Sequence, residues 1–216
     1  MVKPGLPSEF TATKEYLEFL GYKLSLDKIS IKEESVKKIK KQISYLLYKN
    51  LIKPVKGYQL RSIIVPSNNE DPAFVTALMQ IRRYLYGNLS EVKLKSFLNG
   101  KYKRIRFKGI MSFYPLIDDV EQLKELDGWL VSTIYNSLKL REKLFIQKNI
   151  TRVSYNFPFN VSREDLINRC RYTPYKGTKG LHEIPSFLRV YNGIKNGIIN
   201  NGIEYTMNDK VHKYDY

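Results

Sequence analysis

Residues 18–47 read EFLGYKLSLDKISIKEESVKKIKKQISYLL, in which short apolar runs give way to apolar residues at every third or fourth position. The two runs, residues 17–24 and 28–31, flank the segment SLDK, whose serine and aspartate favour a tight turn. We therefore predict a β-hairpin. The spacing that follows is that of one face of an α-helix, so the stretch predicts a hairpin leading directly into a helix.

The predicted helix has an apolar face and a basic face. Ser30 and Glu33 have the spacing of a capping box, which predicts the helix start, and the apolar pattern continues to about Lys49. The opposite face carries four lysines within about a turn and a half: Lys37, Lys38, Lys40 and Lys41. We expect a negatively charged partner at this face, although a solvated lysine-rich surface without a ligand explains the same pattern.

The rest of the chain is predicted to form further helices joined by turn residues. Asp71 followed by Pro72 marks a helix start, because proline fits the first turn, and Gly87 closes that helix. Apolar spacing and start signals predict more helices over residues 90–98 and 111–149, from Ser162 and after Pro185. Asn-Gly pairs are expected to limit the last helix, and the lone Trp129 is expected to anchor the core.

The composition predicts a polyanionic partner. The 216 residues include 37 lysines and arginines against 21 acidic residues, for a net charge of +16. Nucleic acid and an anionic membrane both fit this charge, but no stretch approaches 18 apolar residues and no signal-peptide pattern is seen. We therefore expect a soluble, cytoplasmic protein without a membrane partner. The single cysteine, Cys170, excludes an internal disulfide.

A second basic stretch, KYKRIRFKG, covers residues 101–109. Its cations are interleaved with Tyr102, Ile105 and Phe107: Lys101, Lys103, Arg104, Arg106 and Lys108. Alternation with a period of two would bring several cations to one side, as a row of phosphate contacts requires. A basic solvent-facing surface without a ligand is the alternative.

Few sequence features indicate catalysis. With only His182 and His212, no zinc-protease motif, no serine nucleophile elbow and no phosphate-binding glycine loop, the sequence does not indicate a hydrolase, a zinc enzyme or an ATPase. Asp118 and Asp119 are neighbouring carboxylates of the kind that hold magnesium in polymerases. The alternative is that they cap and begin the helix that follows.

A family resemblance rests on three segments in a fixed order. LEFLGYKLS (17–25) is followed by a short strand and by SIKEESVKKIKKQISYLL (30–47), and LDGWLVSTIYNSLKLREKL (126–144) comes later. This order resembles the end of the palm and the start of the thumb in bacterial reverse transcriptases of the group II intron-like and defence-associated types. The resemblance covers roughly residues 15–145.

The resemblance implies a role for the hairpin. In that family the FLGY-type hairpin is the primer grip, which steadies the 3′ end of the growing strand, and the helical thumb follows the template–primer duplex. It assigns the primer grip to five residues: Phe19, Leu20, Gly21, Tyr22 and Lys23. The resemblance implies that Gly21 lets the backbone approach the primer closely and that Lys23 contacts a phosphate. It also implies that Phe19 and Tyr22 support the hairpin. An apolar hairpin that packs on its own bundle is the alternative.

The sequence departs from the family at the catalytic positions. The family's catalytic aspartates precede the primer grip, whereas only 17 residues precede Glu18 here and none is aspartate. The resemblance therefore implies a thumb portion that binds an RNA–DNA or RNA duplex and contributes to DNA synthesis with a palm and fingers carried elsewhere. We expect no cofactor in this chain, and Mg²⁺ only in the partner palm.

Two other classes of function also fit the sequence. A stand-alone basic helical module would bind RNA or DNA without a polymerase role. An independent magnesium-dependent enzyme requires metal binding by Asp118 and Asp119.

The fold class predicted is mainly α, with a short N-terminal β-hairpin, a thumb-like helical bundle and a mixed C-terminal subdomain. The corresponding boundaries are residues 1–31, 32–149 and 150–216. Proline and glycine near the N-terminus predict an extended lead up to about Glu9.

Overall fold

The computed structural model describes residues 15–172 and 181–207, and the extended N-terminal lead predicted from sequence lies outside these ranges. The mainly-α layout is confirmed: a small antiparallel sheet precedes the helices. The strands are β1 (Tyr16–Phe19), β2 (Tyr22–Ser25) and β3 (Ile29–Ile31). The α-helices are α1 (Glu33–Leu47), α2 (Lys53–Gly57), α3 (Pro72–Tyr86), α4 (Glu91–Leu98), α5 (Val120–Gln147), α6 (Arg163–Tyr172), α7 (Phe187–Asn201) and α8 (Ile203–Thr206).

Shorter helical turns join these elements. A π-helical turn links α1 to α2, and 3₁₀ turns lie between the longer helices. Their bounds are Tyr48–Ile52 for the π-helical turn, and Leu60–Ser62, Ile110–Phe113 and Thr151–Tyr155 for the 3₁₀ turns.

The sheet has one turn more than the sequence predicted. The SLDK turn is present between β2 and β3, but residues 17–24 form two strands instead of one. Leu20 and Gly21 turn the chain between them, with φ angles of 46° and 88°. Two consecutive residues with positive φ make the tight hairpin turn that matches strand twist, and glycine adopts such angles without strain.

The predicted capping box is wrong. Helix α1 begins at Glu33 after Lys32, and no side chain caps its first turn. Ser30 belongs to β3, where it pairs with Lys23, and its hydroxyl donates a 2.6 Å hydrogen bond to the Asp119 carboxylate. Strand pairing therefore overrides the local capping signal, because the chain must complete β3 before it can turn into the helix.

The start of α5 covers the outer edge of β3. The Ile29 amide donates to the Asp118 carboxylate at 2.6 Å, and the Ile29 carbonyl accepts from the amides of Asp118 and Asp119. The side-chain oxygen of Gln122 accepts from the Ile31 backbone amide at 2.7 Å, and the side-chain nitrogen of Gln122 donates to the Ile31 carbonyl at 2.9 Å. These contacts satisfy the outward-facing N–H and C=O groups of the first and last residues of β3, so the sheet is fixed to the helical bundle.

The larger of two hydrophobic clusters among the described residues joins most of the helices. It extends from Ile31 through α1, α3 and α5 to Ile194 in α7. Its large fully buried side chains include Phe74, Tyr86, Phe107, Phe157 and Phe187. Trp129 is half-buried and packs against this core. Among the described residues no helix is both long and apolar enough to cross a membrane.

Helix α7 crosses its neighbours at very short range. The Asn-Gly pairs at Asn192 and Asn196 lie inside α7 and do not limit it, whereas the predicted limit at the pair starting with Asn201 is where the helix ends. A Cβ atom at Gly193 would lie 2.6 Å from Leu94 and 2.8 Å from Phe107. Glycine is therefore required there by the close approach of α4 and the segment after it, and the helix ends only at Gly202, where φ is +80°.

Candidate nucleic-acid interface

The hairpin predicted as a primer grip stands out from the bundle. Phe19 and Leu20 at its tip are 60% and 79% exposed, and every residue of β1 is exposed. Two features disfavour any residue larger than glycine at position 21. Gly21 has a positive φ, and a Cβ there would lie 3.2 Å from the Tyr114 ring. The tip therefore presents exposed side chains from Phe19 and Leu20, while the glycine is packed against Tyr114.

Tyr22 anchors this hairpin to the bundle. Its hydroxyl donates to the Phe113 carbonyl at 3.0 Å, and its ring meets Tyr114 edge to face at a centroid distance of 5.5 Å. Burial raises the pKa of Tyr22, so the phenol keeps its proton and its hydrogen bond. The Lys23 ammonium lies 4.3 Å from the centre of the Tyr16 ring, which holds this cation along the sheet.

The four lysines of α1 have different surroundings. Lys37 and Lys38 form ion pairs with Glu33 and Glu34, at 2.7 Å and 3.0 Å. The Lys40 ammonium lies 5.3 Å from the centre of the Trp129 ring. Lys41 is exposed. The positive charge of this face is therefore partly neutralised by its own helix.

Lys23 and Lys40 come together in a cleft of about 470 Å³, which we call the mixed cleft. Lys28 also lines it, together with four carboxylate residues: Glu33, Asp119, Glu121 and Glu125. Burial would raise the pKa of Asp119, but hydrogen bonds from Ser30, the Gln122 amide and Lys28 outweigh burial and leave that pKa below its ordinary value. A phosphate entering the mixed cleft would meet both signs of charge.

The stretch 101–109 keeps its alternation but forms no strand. Arg104, Arg106 and Lys108 are exposed, whereas Ile105 and Phe107 are buried. A single parallel bridge joins Phe107 to Met207, and the Phe107 amide donates to the Thr206 carbonyl at 3.0 Å. The predicted period of two therefore holds over residues 104–108, while Lys101 and Lys103 are exposed nearer the end of α4.

Three of these cations line a second recess, of about 480 Å³, which we call the basic cleft. Its lining residues are Asn88, Leu89, Lys93, Arg104, Ile105, Arg106, Lys108 and Tyr205. Four are cations, and none of the lining residues that the structure describes is acidic. Leu89 and Ile105 are nearly fully buried and form its apolar floor.

The basic cleft includes residues that the sequence did not indicate. Asn88, Lys93 and Tyr205 come from the turn after α3, from α4 and from α8, and tertiary packing alone brings them to the Arg104–Lys108 segment. No local pattern marks these three residues, because lysine, asparagine and tyrosine are ordinary on exposed surfaces.

Two tyrosine rings near the basic cleft are paired with cations. The Arg104 guanidinium lies 5.0 Å from the centre of the Tyr205 ring, and the Lys93 ammonium lies 6.0 Å from the Tyr102 ring. Both tyrosines are about half exposed. Cations and accessible aromatic faces therefore occur together at this site, as they do in proteins that bind unpaired bases.

The Asp118–Asp119 pair has a structural role. Asp119 caps α5 by accepting from the Gln122 amide at 3.1 Å, and Asp118 accepts from Ile29. The described ranges contain no cluster of three histidine, cysteine or acidic residues that could hold a metal ion. The helix-capping alternative therefore accounts for Asp119, whereas Asp118 binds the edge of β3.

Comparisons with protein-family models, curated proteins and solved structures found no match to this chain.

Proposed function

We propose that the chain binds nucleic acid as the primer-grip and thumb portion of a reverse transcriptase whose palm is carried elsewhere. The observation that supports this most directly is the position of the Leu20–Gly21 tip. It projects from the bundle on the β1–β2 hairpin, and the chain then passes through β3 into α1 with its lysines. This is the order of elements that the sequence resemblance requires.

The contacts around the tip suit a positioning role. Gly21 accepts a 2.8 Å backbone hydrogen bond from Lys32, and Tyr22 is tied to Phe113. The tip is therefore held at a fixed place relative to the start of α1. A duplex lying along α1 would have its strand end close to this tip, and the cations would contact phosphates without reading bases.

The exposed strand β1 supports a protein partner at the hairpin. Tyr16, Leu17 and Phe19 present apolar surface to solvent, and β1 pairs on one side with β2 while no described strand pairs on its other side. Unpaired edges with apolar side chains are sites at which another chain adds a strand. We assign this edge to the palm, whose attachment would cover the apolar residues.

Binding to a fluorescent RNA–DNA hybrid tests the proposal. The four α1 lysines, Lys37, Lys38, Lys40 and Lys41, are changed to glutamine. The matched control changes four exposed lysines elsewhere, Lys49, Lys53, Lys56 and Lys143, and removes the same charge. Anisotropy titrations between 50 and 200 mM salt measure affinity for parent and variants.

Counterion release sets the expected size of the effect. If all four α1 lysines contact duplex phosphates, the plot of log affinity against log salt concentration has a slope shallower by about 3.6 in the α1 variant. The control should keep most of the parental slope. Equal slopes for the α1 variant and its control would refute the assignment of α1 to the duplex.

The palm is tested separately. The DNA upstream of the codon for Met1 should encode a segment with a Tyr-x-Asp-Asp turn, and that segment should confer RNA-directed DNA synthesis when combined with this chain. Leu17→Asp, on the exposed strand β1, should abolish this complementation without changing hybrid binding. If no such segment is present, the polymerase role is dropped.

A stand-alone nucleic-acid-binding module is the second candidate, favoured by the basic cleft, which lies outside the hairpin and needs no palm. It predicts tight nucleic-acid binding that Leu17→Asp leaves unchanged, with no activity gained on adding a palm.

A further inference from the structure

We propose that the basic cleft is a binding site for single-stranded nucleic acid, distinct from the α1 surface assigned to duplex. This inference rests on the proposed function only in taking nucleic acid as the ligand. It concerns which form of nucleic acid binds, and where.

The charge distribution separates the two surfaces. On α1, Glu33 and Glu34 lie in ion pairs with the neighbouring lysines. In the basic cleft, Lys93 comes from α4, and Arg104 and Lys108 come from the segment that follows it. None of these three cations forms an ion pair with a described carboxylate. Gathering like charges is unfavourable without a counter-ion, so the cleft is the more strongly anion-attracting of the two.

The aromatic residues point to unpaired bases. The Tyr205 ring lines the cleft, is 54% exposed and has the Arg104 guanidinium 5.0 Å from its centre. A base stacking on such a ring must be free of the duplex stack, because paired bases present only their edges. Cation and ring together therefore fit a single strand better than a duplex.

The shape of the cleft agrees with this assignment. A recess of about 480 Å³ falls in the size range of sites for small molecules, and it is too small to receive a double helix. Its apolar floor of Leu89 and Ile105 suits the face of a base or sugar. The side-chain amide of Asn88, which also lines the cleft, can both donate and accept hydrogen bonds.

The cleft is also rigidly built. The Phe107–Thr206 backbone bond ties the cationic segment to α8, and a Cβ at Gly87 would lie 2.7 Å from the Lys108 side chain. The backbone that carries these cations is therefore fixed before the ligand arrives, which lowers the entropic cost of binding.

The test compares two probes on the full chain: a labelled 12-nucleotide RNA without self-complementarity, and the RNA–DNA hybrid. The cleft variant is Arg104→Gln with Lys108→Gln. The matched control is Lys101→Gln with Lys103→Gln, which removes the same charge from the same stretch outside the cleft. Circular dichroism confirms that each variant is folded.

Specific changes in single-strand affinity are expected. Because the cleft variant cannot make two of the phosphate contacts, its salt slope should be shallower by about 1.4, with little change in the control. Tyr205→Ala should weaken single-strand binding by about 5- to 150-fold, whereas Tyr205→Phe, which keeps the aromatic face, should bind nearly as the parent does. Hybrid binding should change little in all of these variants.

Other results would overturn the inference in distinguishable ways. If the cleft variant binds the RNA as the parent does, while the α1 variant no longer binds it, single strands bind on α1 and only this inference fails. If inorganic phosphate displaces the RNA fully and Tyr205→Ala has no effect, the cleft is a general anion site. If neither probe binds the parent chain, this inference and the proposed function fail together.

Discussion

Replacing Glu91 with glutamine should destabilise the protein by about 3 kcal/mol. Glu91 begins α4 and is 1% exposed. Its carboxylate accepts from the Tyr86 hydroxyl and from Arg189, both at 2.7 Å, and lies 3.8 Å from Arg82. Burial raises the pKa of Tyr86 well above its ordinary value, so the phenol remains a donor. Glutamine keeps the size of the side chain but removes the charge that faces two guanidinium groups.

The magnitude follows from burial and from the partners that are left. Breaking a buried ion pair by removing one charge costs about 3–5 kcal/mol, because the other charge stays buried. Arg189 would still have Glu183 at 3.5 Å, so the expected cost lies at the lower end. For a chain of 216 residues this corresponds to a melting temperature lower by about 6–12 °C.

Urea unfolding followed by the fluorescence of Trp129, the single tryptophan, measures the change. Glu121→Gln is the matched control, because Glu121 also lies in the first turn of a helix but is exposed. The control should shift the unfolding free energy by less than about 0.5 kcal/mol. A Glu91 variant no less stable than this control would show that the buried network contributes nothing to stability.

Three further outcomes are expected. Asp71→Asn should keep the cap on α3 but leave the buried Arg141 without its carboxylate partner, at a cost of about 3–5 kcal/mol in urea unfolding. Asp119, whose pKa is lowered, stabilises the fold above its ordinary pKa of 3.8 and loses this contribution as pH falls through its folded value, so in urea unfolding Asp119→Asn should cost less near pH 3 than at pH 6. Gly109→Ala should unfold at a lower temperature by circular dichroism, because its Cβ would overlap the Leu85 backbone.

Local signals predicted the long helices, although the one predicted over residues 111–149 begins only at Val120 and ends at Gln147. Helix α3 begins as expected, with the Asp71 carboxylate accepting from the Phe74 amide at 3.2 Å, and it ends at Gly87 with a φ of +74°. Ser90 caps α4 through the Lys93 amide. Such signals succeed because a cap is formed by residues within one turn of each other.

Predictions failed where distant residues decide the structure. Ser30 has a capping sequence around it, but its partner is Asp119, 89 residues away. Gly193 looks like a helix breaker, yet Leu94 and Phe107 pack so closely that a larger residue does not fit. No local sequence pattern indicates either of these contacts.

The basic cleft, too, could be predicted from sequence only in part. Alternation predicted that Arg104, Arg106 and Lys108 would share one side, and the structure keeps them exposed together. Lys93 and Tyr205 join them through the packing of α4, α7 and α8, which sequence patterns do not predict. The cations could therefore be found from sequence, whereas the recess and its ring could not.

The way α5 covers β3 makes the two edges of the small sheet differ in amide hydrogen exchange. The amides of Ile29 and Ile31 are held by Asp118 and Gln122, so they should exchange slowly in the free chain. The outward amides of β1 have no described strand beside them and should exchange quickly. An added strand would slow exchange along β1 alone, so this edge would report attachment of a partner without any measurement of catalysis.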